Sequence, residues 1–156
     1  MRALSLTQPW ASAIALGIKR YETRGWSTRS RGDVCIHAAK SFPRYAQDFF
    51  EDQLQEGLLH PDSDLPRGAI IAVAELTACL RTEDVLPTIE RVEKMYGNYE
   101  AGRWAFRLEN IRVLSEPIFC RGALSFWPVE WDEAKEVMRR MGHPQAAKFG
   151  EFEASR

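Results

Sequence analysis

The residues able to do chemistry in this 156-residue chain are bunched near its start. Residues 19–44 hold Lys19, Arg20, Arg24, Arg29, Arg31, Lys40 and Arg44 against Glu22 and Asp33, seven cations to two carboxylates and a local balance of +5. The whole chain sums to −1, so the remainder carries −6. Tyr21, Trp26, Ser27, Thr28, Ser30 and Ser41 are interleaved with those cations, offering charge for phosphates, hydroxyl donors and flat rings for base stacking. A solvated charged face is the other use such a stretch can have. Beyond it, Glu75 is the one charge within residues 68–80, and a carboxylate in so apolar a run needs a partner or a cleft.

Lys19 sits just past a predicted helix end, so strand alternation does not fix its direction and it can enter a cleft beside Glu22. Between Glu22 and Glu75 it would be a charged clamp for a phosphate or oxyanion rather than a base. Arg24 shares the alternation phase of Glu22 and reads as the ion-pair partner of Glu22 or Glu75. Pro9 and Trp10 start a helix whose free N–H groups can meet an anion while the indole stacks on a base; a core anchor is the alternative for Trp10. Trp26 falls outside the apolar pattern and is a stacking candidate, whereas Trp127 reads as core. Tyr99, Arg103 and Trp104 form a glycine-bracketed loop and strand start that would wall the cleft. His37 has no second ligand at metal spacing and reads as a strand histidine. With no phosphate loop, nucleophile elbow or paired metal carboxylates, neither metal nor cofactor is expected.

The elements that must position these residues alternate irregularly. A strand over Ala3 to Leu6 leads through Thr7, an N-cap candidate, to a short helix carrying Trp10, Ala11, Ile14 and Ala15 and closed by Gly17. Strands follow over 20–24 and 34–39, then a helix from Pro43 to about Leu54 with Tyr45, Phe49, Phe50 and Leu54 as its buried stripe. The loop 61–67 feeds the clearest strand, Gly68 to Leu80. A helix near 88–95 stops at Gly97, and a strand from Arg103 to Leu108 extends toward Val113. Arg121 to Pro128 is the last predicted strand and Asp132 to Met141 a closing helix. This is not the regular βαβ rhythm of a doubly wound sheet; an α+β class with a small mixed barrel and peripheral helices fits better.

Length and an apolar share of 45% give one domain, 1–130, with a C-terminal helix and tail over 131–156. Cys35, Cys79 and Cys120 lack paired spacing and read as reduced core thiols, which points to a reducing compartment. No apolar run approaches a membrane span, so a cytoplasmic protein without a membrane partner is expected.

The run Gly17-Ile18-Lys19-Arg20-Tyr21-Glu22-Thr23-Arg24 reads Gly-x-Lys-x-x-Glu-x-Arg and resembles the signature of the ASCH domain family, whose fold is a PUA-like barrel. The blocks around Leu4 to Ser12, Ile36 to Lys40, Pro66 to Leu76, Gly102 to Phe106 and Arg121 to Leu124 resemble that family in the same order, covering about residues 3–129. The resemblance implies a cleft along the signature that binds RNA, a nucleoside or a nucleotide. Some members resemble amidohydrolases of N4-acetylcytidine, and ribonuclease activity is ascribed to others. The amidohydrolase set of lysine, threonine and glutamate maps to Lys19, Glu22 and Glu75, so a carboxylate stands where the threonine nucleophile would be. The leading expectation is therefore an RNA- or nucleotide-binding module using Lys19, Arg29 and Arg31 for phosphate and Trp10 or Trp26 for a base, with Pro9, Arg24, Lys40, Tyr99, Arg103 and Trp104 also counted among the binding residues. An amidohydrolase or ribonuclease using Lys19, Glu22 and Glu75 is the enzymatic alternative. A protein-interaction module on Val137, Met138, Met141 and the tail is a third.

Overall fold

The computed structural model describes residues 1–61 and 65–142. The chain runs β1 (Arg2–Leu6), α1 (Trp10–Ala15), β2 (Tyr21–Arg24), β3 (Gly32–Ala38), α2 (Arg44–Gln55), β4 (Ala69–Arg81), α3 (Thr82–Val85), α4 (Arg91–Met95), β5 (Trp104–Phe119), β6 (Phe126–Pro128) and α5 (Trp131–Arg140), with a 3-10 turn at Leu86–Thr88. All six strands form one mixed sheet in the order β2-β5-β4-β3-β1-β6, parallel only between β1 and β3.

Side-chain alternation gives this sheet two buried faces. Leu4 and Leu6, Val34, Ile36 and Ala38, Ala72, Ala74 and Leu76, and Phe106 and Leu108 enter one core. Ala3, Cys35, Ile70, Val73, Leu114 and Ile118 face a second core with Trp127 and Val137. Across the first core the sheet curls until its ends meet. Phe106 of β5 stacks on Phe126 of β6 at 6.0 Å, and Trp26, just past β2, packs edge-on against both at 5.2 and 5.6 Å. The result is a half-barrel closed by aromatic rings rather than by a ladder, and α1 inserts Ala11, Ile14 and Ala15 into it. The mixed, curled sheet with peripheral helices is the α+β arrangement expected.

Several local expectations change. Thr7 does not cap α1; Gln8 does related work, its Oε1 accepting from Ser12 N (3.0 Å) and its Nε2 donating to Ser12 Oγ and Pro66 O (both 2.8 Å). Tyr45 was placed on the buried stripe of α2 but is 64% exposed, because Ala46 and Gln53 take the inward positions. The helix expected near 88–95 is broken by the extended Ile89 and Glu90, leaving only Arg91–Met95. Residues 121–125 carry no ladder, so the last strand is three residues long. β5 in contrast runs sixteen residues, taking a positive φ of 48° at Asn110 to continue past its bend. α5 packs Val137 fully into the second core with Met141 partly buried beside it, and leaves Met138 66% exposed, so the apolar patch expected there is divided between core and surface. The tail 143–156 lies outside the described residues. Among the described residues no helix is long and apolar enough to cross a membrane, and the three cysteines are free.

Candidate functional site

The signature run is folded around its lysine. Gly17 leaves α1 at a φ of +75°, a conformation favouring glycine, and the next two amides both donate to Ala13 O, at 2.9 and 3.1 Å. That turn aims Lys19 inward until it is only 1% exposed. Its ammonium donates to Tyr21 O and to Tyr96 O (2.8 Å) and lies 3.4 Å from a Glu22 carboxylate oxygen. Three protons therefore meet three acceptors of the protein itself. Lys19 was expected to reach a ligand; it instead ties β2 to the end of α4. Glu22 is shared with Arg24, whose Nε is 3.0 Å away while its Nη2 donates to Ser5 O at 2.9 Å. The result is a chain of charge from buried Lys19 through Glu22 and Arg24 to the end of β1.

A residue that the sequence reading passed over holds this turn from behind. Glu93 of α4 is 4% exposed, and its carboxylate accepts from Arg20 N (2.8 Å), Tyr21 N (3.1 Å) and Tyr99 Oη (3.2 Å). Burial first, then the Glu93 charge, hold the Tyr99 phenol well above its ordinary pKa, so it stays a donor. Ile89, Val92 and Tyr96 stand at helical spacing with Glu93, so a carboxylate within an apolar stripe was the available signal.

In front of the turn lies a cleft of about 530 Å³. Part of its lining is aromatic: Trp10 stacks on Phe49 at 4.8 Å and 14°, and the exposed Tyr45 ring is tilted 6.1 Å away. The lining also carries Glu22, Arg24, Asn98 and Arg103, with Arg103 Nε donating to Asn98 O at 3.2 Å. Thus Trp10, Lys19, Glu22, Arg24 and Arg103 come together, while buried Pro9 is the N-cap residue of α1 beneath them.

Other expected members do not join it. Glu75 opposes Asp33 of β3 and Glu109 of β5 and accepts from Asn110 Nδ2, whereas Glu22 opposes Phe106, three residues back along β5. Register shifts between Val73 and Glu75 and between Leu76 and Ala78 interrupt that part of the β4–β5 ladder. The set Lys19, Glu22 and Glu75 is therefore not assembled, and the convergence expected of Glu75 is corrected. Trp26, half-buried, packs edge-on against Phe106 and Phe126 and does not line this cleft. Tyr99 is buried on Glu93, and Trp104 lies under the Arg81 guanidinium at 4.2 Å. Arg29 and Arg31 are exposed outside the cleft lining, Arg31 donating to Thr28 O and Ser30 O.

Lys40 belongs to a second cavity of about 820 Å³, which shares Ser5 with the first. Ser5 opposes His37 in the β1–β3 ladder. The Cys120 carbonyl can only accept, so His37 Nε2–H donates to it (3.2 Å), leaving Nδ1 to accept from Ser5 Oγ–H (3.0 Å). Trp127 Nε1–H donates to the same hydroxyl at 3.0 Å. Burial lowers the His37 pKa, which keeps the ring neutral at pH 7. Gly122 rests on this network: a Cβ there would come 2.4 Å from His37 Cε1 and 2.7 Å from Ser5 Oγ. Gly122→Ala is expected to cost about 1–3 kcal/mol in urea unfolding, since a ring bonded on both nitrogens cannot step aside. Unchanged stability would show that the ring yields freely.

The family model described as ASCH domain matches residues 4–118. Activating signal cointegrator 1 of Homo sapiens is 38% identical over 82 residues, 49% of this chain, and the Mus musculus protein of that name gives the same figures. The match spans only 14% of those relatives' length. Among solved structures, ASCH from Zymomonas mobilis superposes with a TM-score of 0.56 at 17% identity, covering 91% of this chain and 96% of that one. A single-substitution mutant of the Zymomonas mobilis protein gives 0.57 at 17%, covering 90% and 98%. At such identity the likeness is one of fold.

Proposed function

Because this chain belongs to the ASCH domain family, within the PUA-like superfamily, we propose that it is a module binding single-stranded RNA or a nucleotide in the cleft before the Gly-x-Lys-x-x-Glu-x-Arg turn. The observation that carries this reading is that one cleft is lined by both stacked aromatic rings and charged side chains. Trp10, backed by Phe49 and flanked by Tyr45, offers a face to a base. Such stacking contributes about 1–3 kcal/mol per base. In the same cleft, the Glu22 carboxylate can accept from an exocyclic amine, and Arg103 can meet a phosphate. Lys19 acts one step removed, as the group that positions Glu22. Arg29 and Arg31 stay in solvent, where they raise the encounter rate of a polyanion and make it salt-dependent. The overall charge of −1 argues against indiscriminate coating of nucleic acid. The acylated-nucleoside and ribonuclease readings drew on Glu75 meeting Lys19, and no other observation favours either.

Titration of the protein with short oligouridylate should quench tryptophan fluorescence, more weakly as salt rises. Trp10→Ala should weaken binding about tenfold or more, followed by displacement of a labelled oligonucleotide. Tyr45→Ala, at an exposed position, should weaken it in the same direction with unchanged melting temperature. Salt-insensitive quenching, or affinity equal to wild type in both variants, would sink this reading.

A further inference from the structure

The second cavity has a charge pattern that its hydrogen bonds do not explain. Lys40, Arg67 and Arg121 line it and are all exposed, yet among the described residues none of them forms an ion pair and no carboxylate lines the cavity. By contrast, most cations of β5 and α5 are paired: Arg112 with Asp33, Arg107 with Glu109, Arg139 and Arg140 with Glu136. Three cations with no carboxylate partner among the described residues, Arg67 resting over the Phe42 ring at 5.8 Å, border one concavity, and a multiply charged anion relieves their mutual repulsion.

The floor beneath them suits an anion too. Ser5, His37 and Trp127 satisfy one another and the Cys120 carbonyl, and the ring between them is neutral. A charged floor would compete with a ligand or with the rim; this one does neither. Because Gly122 has no side chain, the 120–124 segment lies directly on this floor, with Arg121 at the rim. Beside the cations is an apolar shelf, Phe119 at 74% and Leu124 at 95% exposure. A shelf of this kind is unneeded for a bare anion and fits a sugar or base attached to one.

We propose that this cavity binds a phosphate monoester, the terminal phosphate of a nucleotide or nucleic-acid strand, with Lys40, Arg67 and Arg121 on its oxygens and Phe119 and Leu124 against the attached nucleoside. A monoester carries up to two charges and three terminal oxygens, matching three separate donors better than the single charge of a backbone diester does. Ser5 lines this cavity and the RNA cleft alike, so a strand leaving the cleft along the end of β1 meets the phosphate pocket next. The proposal goes beyond the cleft reading and stands without it.

Oligouridylates of four residues bearing hydroxyls at both ends, a 5′-phosphate or a 3′-phosphate separate the terms. One phosphorylated form should bind about tenfold tighter than the unphosphorylated strand, and uridine monophosphate with the same attachment should compete better than inorganic phosphate. In the double variant Lys40→Ala, Arg121→Ala that advantage should vanish with the melting temperature unchanged, as both side chains are exposed. Tyr45→Ala should keep it, even if total affinity falls, which separates this pocket from the cleft. The proposal is overturned if neither terminal phosphate tightens binding, or if the advantage survives the double substitution.

Discussion

Lys19→Ala should cost about 3–5 kcal/mol of folding stability, the range measured when one partner of a buried charge pair is removed. In a chain of this size that lowers the melting temperature by about 10 °C or more. The ammonium is 1% exposed and satisfies Tyr21 O, Tyr96 O and one side of Glu22. Alanine leaves two inward carbonyls without a donor and Glu22 with Arg24 alone. Lys19→Arg should not rescue, because a planar fork cannot reach two carbonyls and a carboxylate from the space of a single Nζ. Urea unfolding and a melting scan check this. A variant as stable as wild type, but weakened in RNA binding, would return Lys19 to the role of direct phosphate contact. Loss of RNA binding in Lys19→Ala is thus uninformative unless stability is measured beside it. Tyr45, whose exposed side chain lines the cleft without holding the turn, is the cleaner probe, whereas Arg103 also donates to Thr23 O and Asn98 O.

The order of elements was legible because it rests on local chemistry. Gly17 ends α1, β4 follows from its run of Ala, Ile and Val, and the signature run stands where the sequence places it, from the turn after α1 through β2. What escaped depends on how the sheet curls. Trp26 stands outside the apolar alternation of β2, yet the curl brings Phe106 and Phe126 around it, and only long-range closure could reveal that. Glu75 looked anomalous in an apolar strand, and the anomaly was real. The register shifts of β4 lead it to Asn110 rather than to Lys19, and register shifts leave little mark in residue types. Arg67 and Arg121 lie 54 residues apart in sequence, before β4 and after β5, and only the pairing of Ala69 with Phe119 brings them to one cavity with Lys40.

Glu93→Gln should destabilise the fold by about 2–4 kcal/mol although it changes one atom, because every partner of that carboxylate is a donor. Arg20 N, Tyr21 N and the Tyr99 hydroxyl all point at it. An amide in either orientation turns an NH₂ group toward at least one of them, placing donor against donor in a site that water does not reach. The two peptide N–H groups belong to the residues between Lys19 and Glu22, so the damage falls on the segment that sets the Glu22 carboxylate in the cleft. Lys19→Ala loosens that segment from its other side, through Tyr21 O. The two substitutions should therefore be non-additive: whichever is made first frees the turn, and the second finds less left to lose. A double-mutant cycle in urea should give a coupling of about 1 kcal/mol or more, and Tyr99→Phe should cost less than Glu93→Gln because it removes a single bond. Strict additivity would mean that Glu93 and Lys19 secure separate pieces of structure. The Glu22 position would then rest on its ion pairs with Lys19 and Arg24 alone, and RNA affinity should survive Glu93→Gln intact.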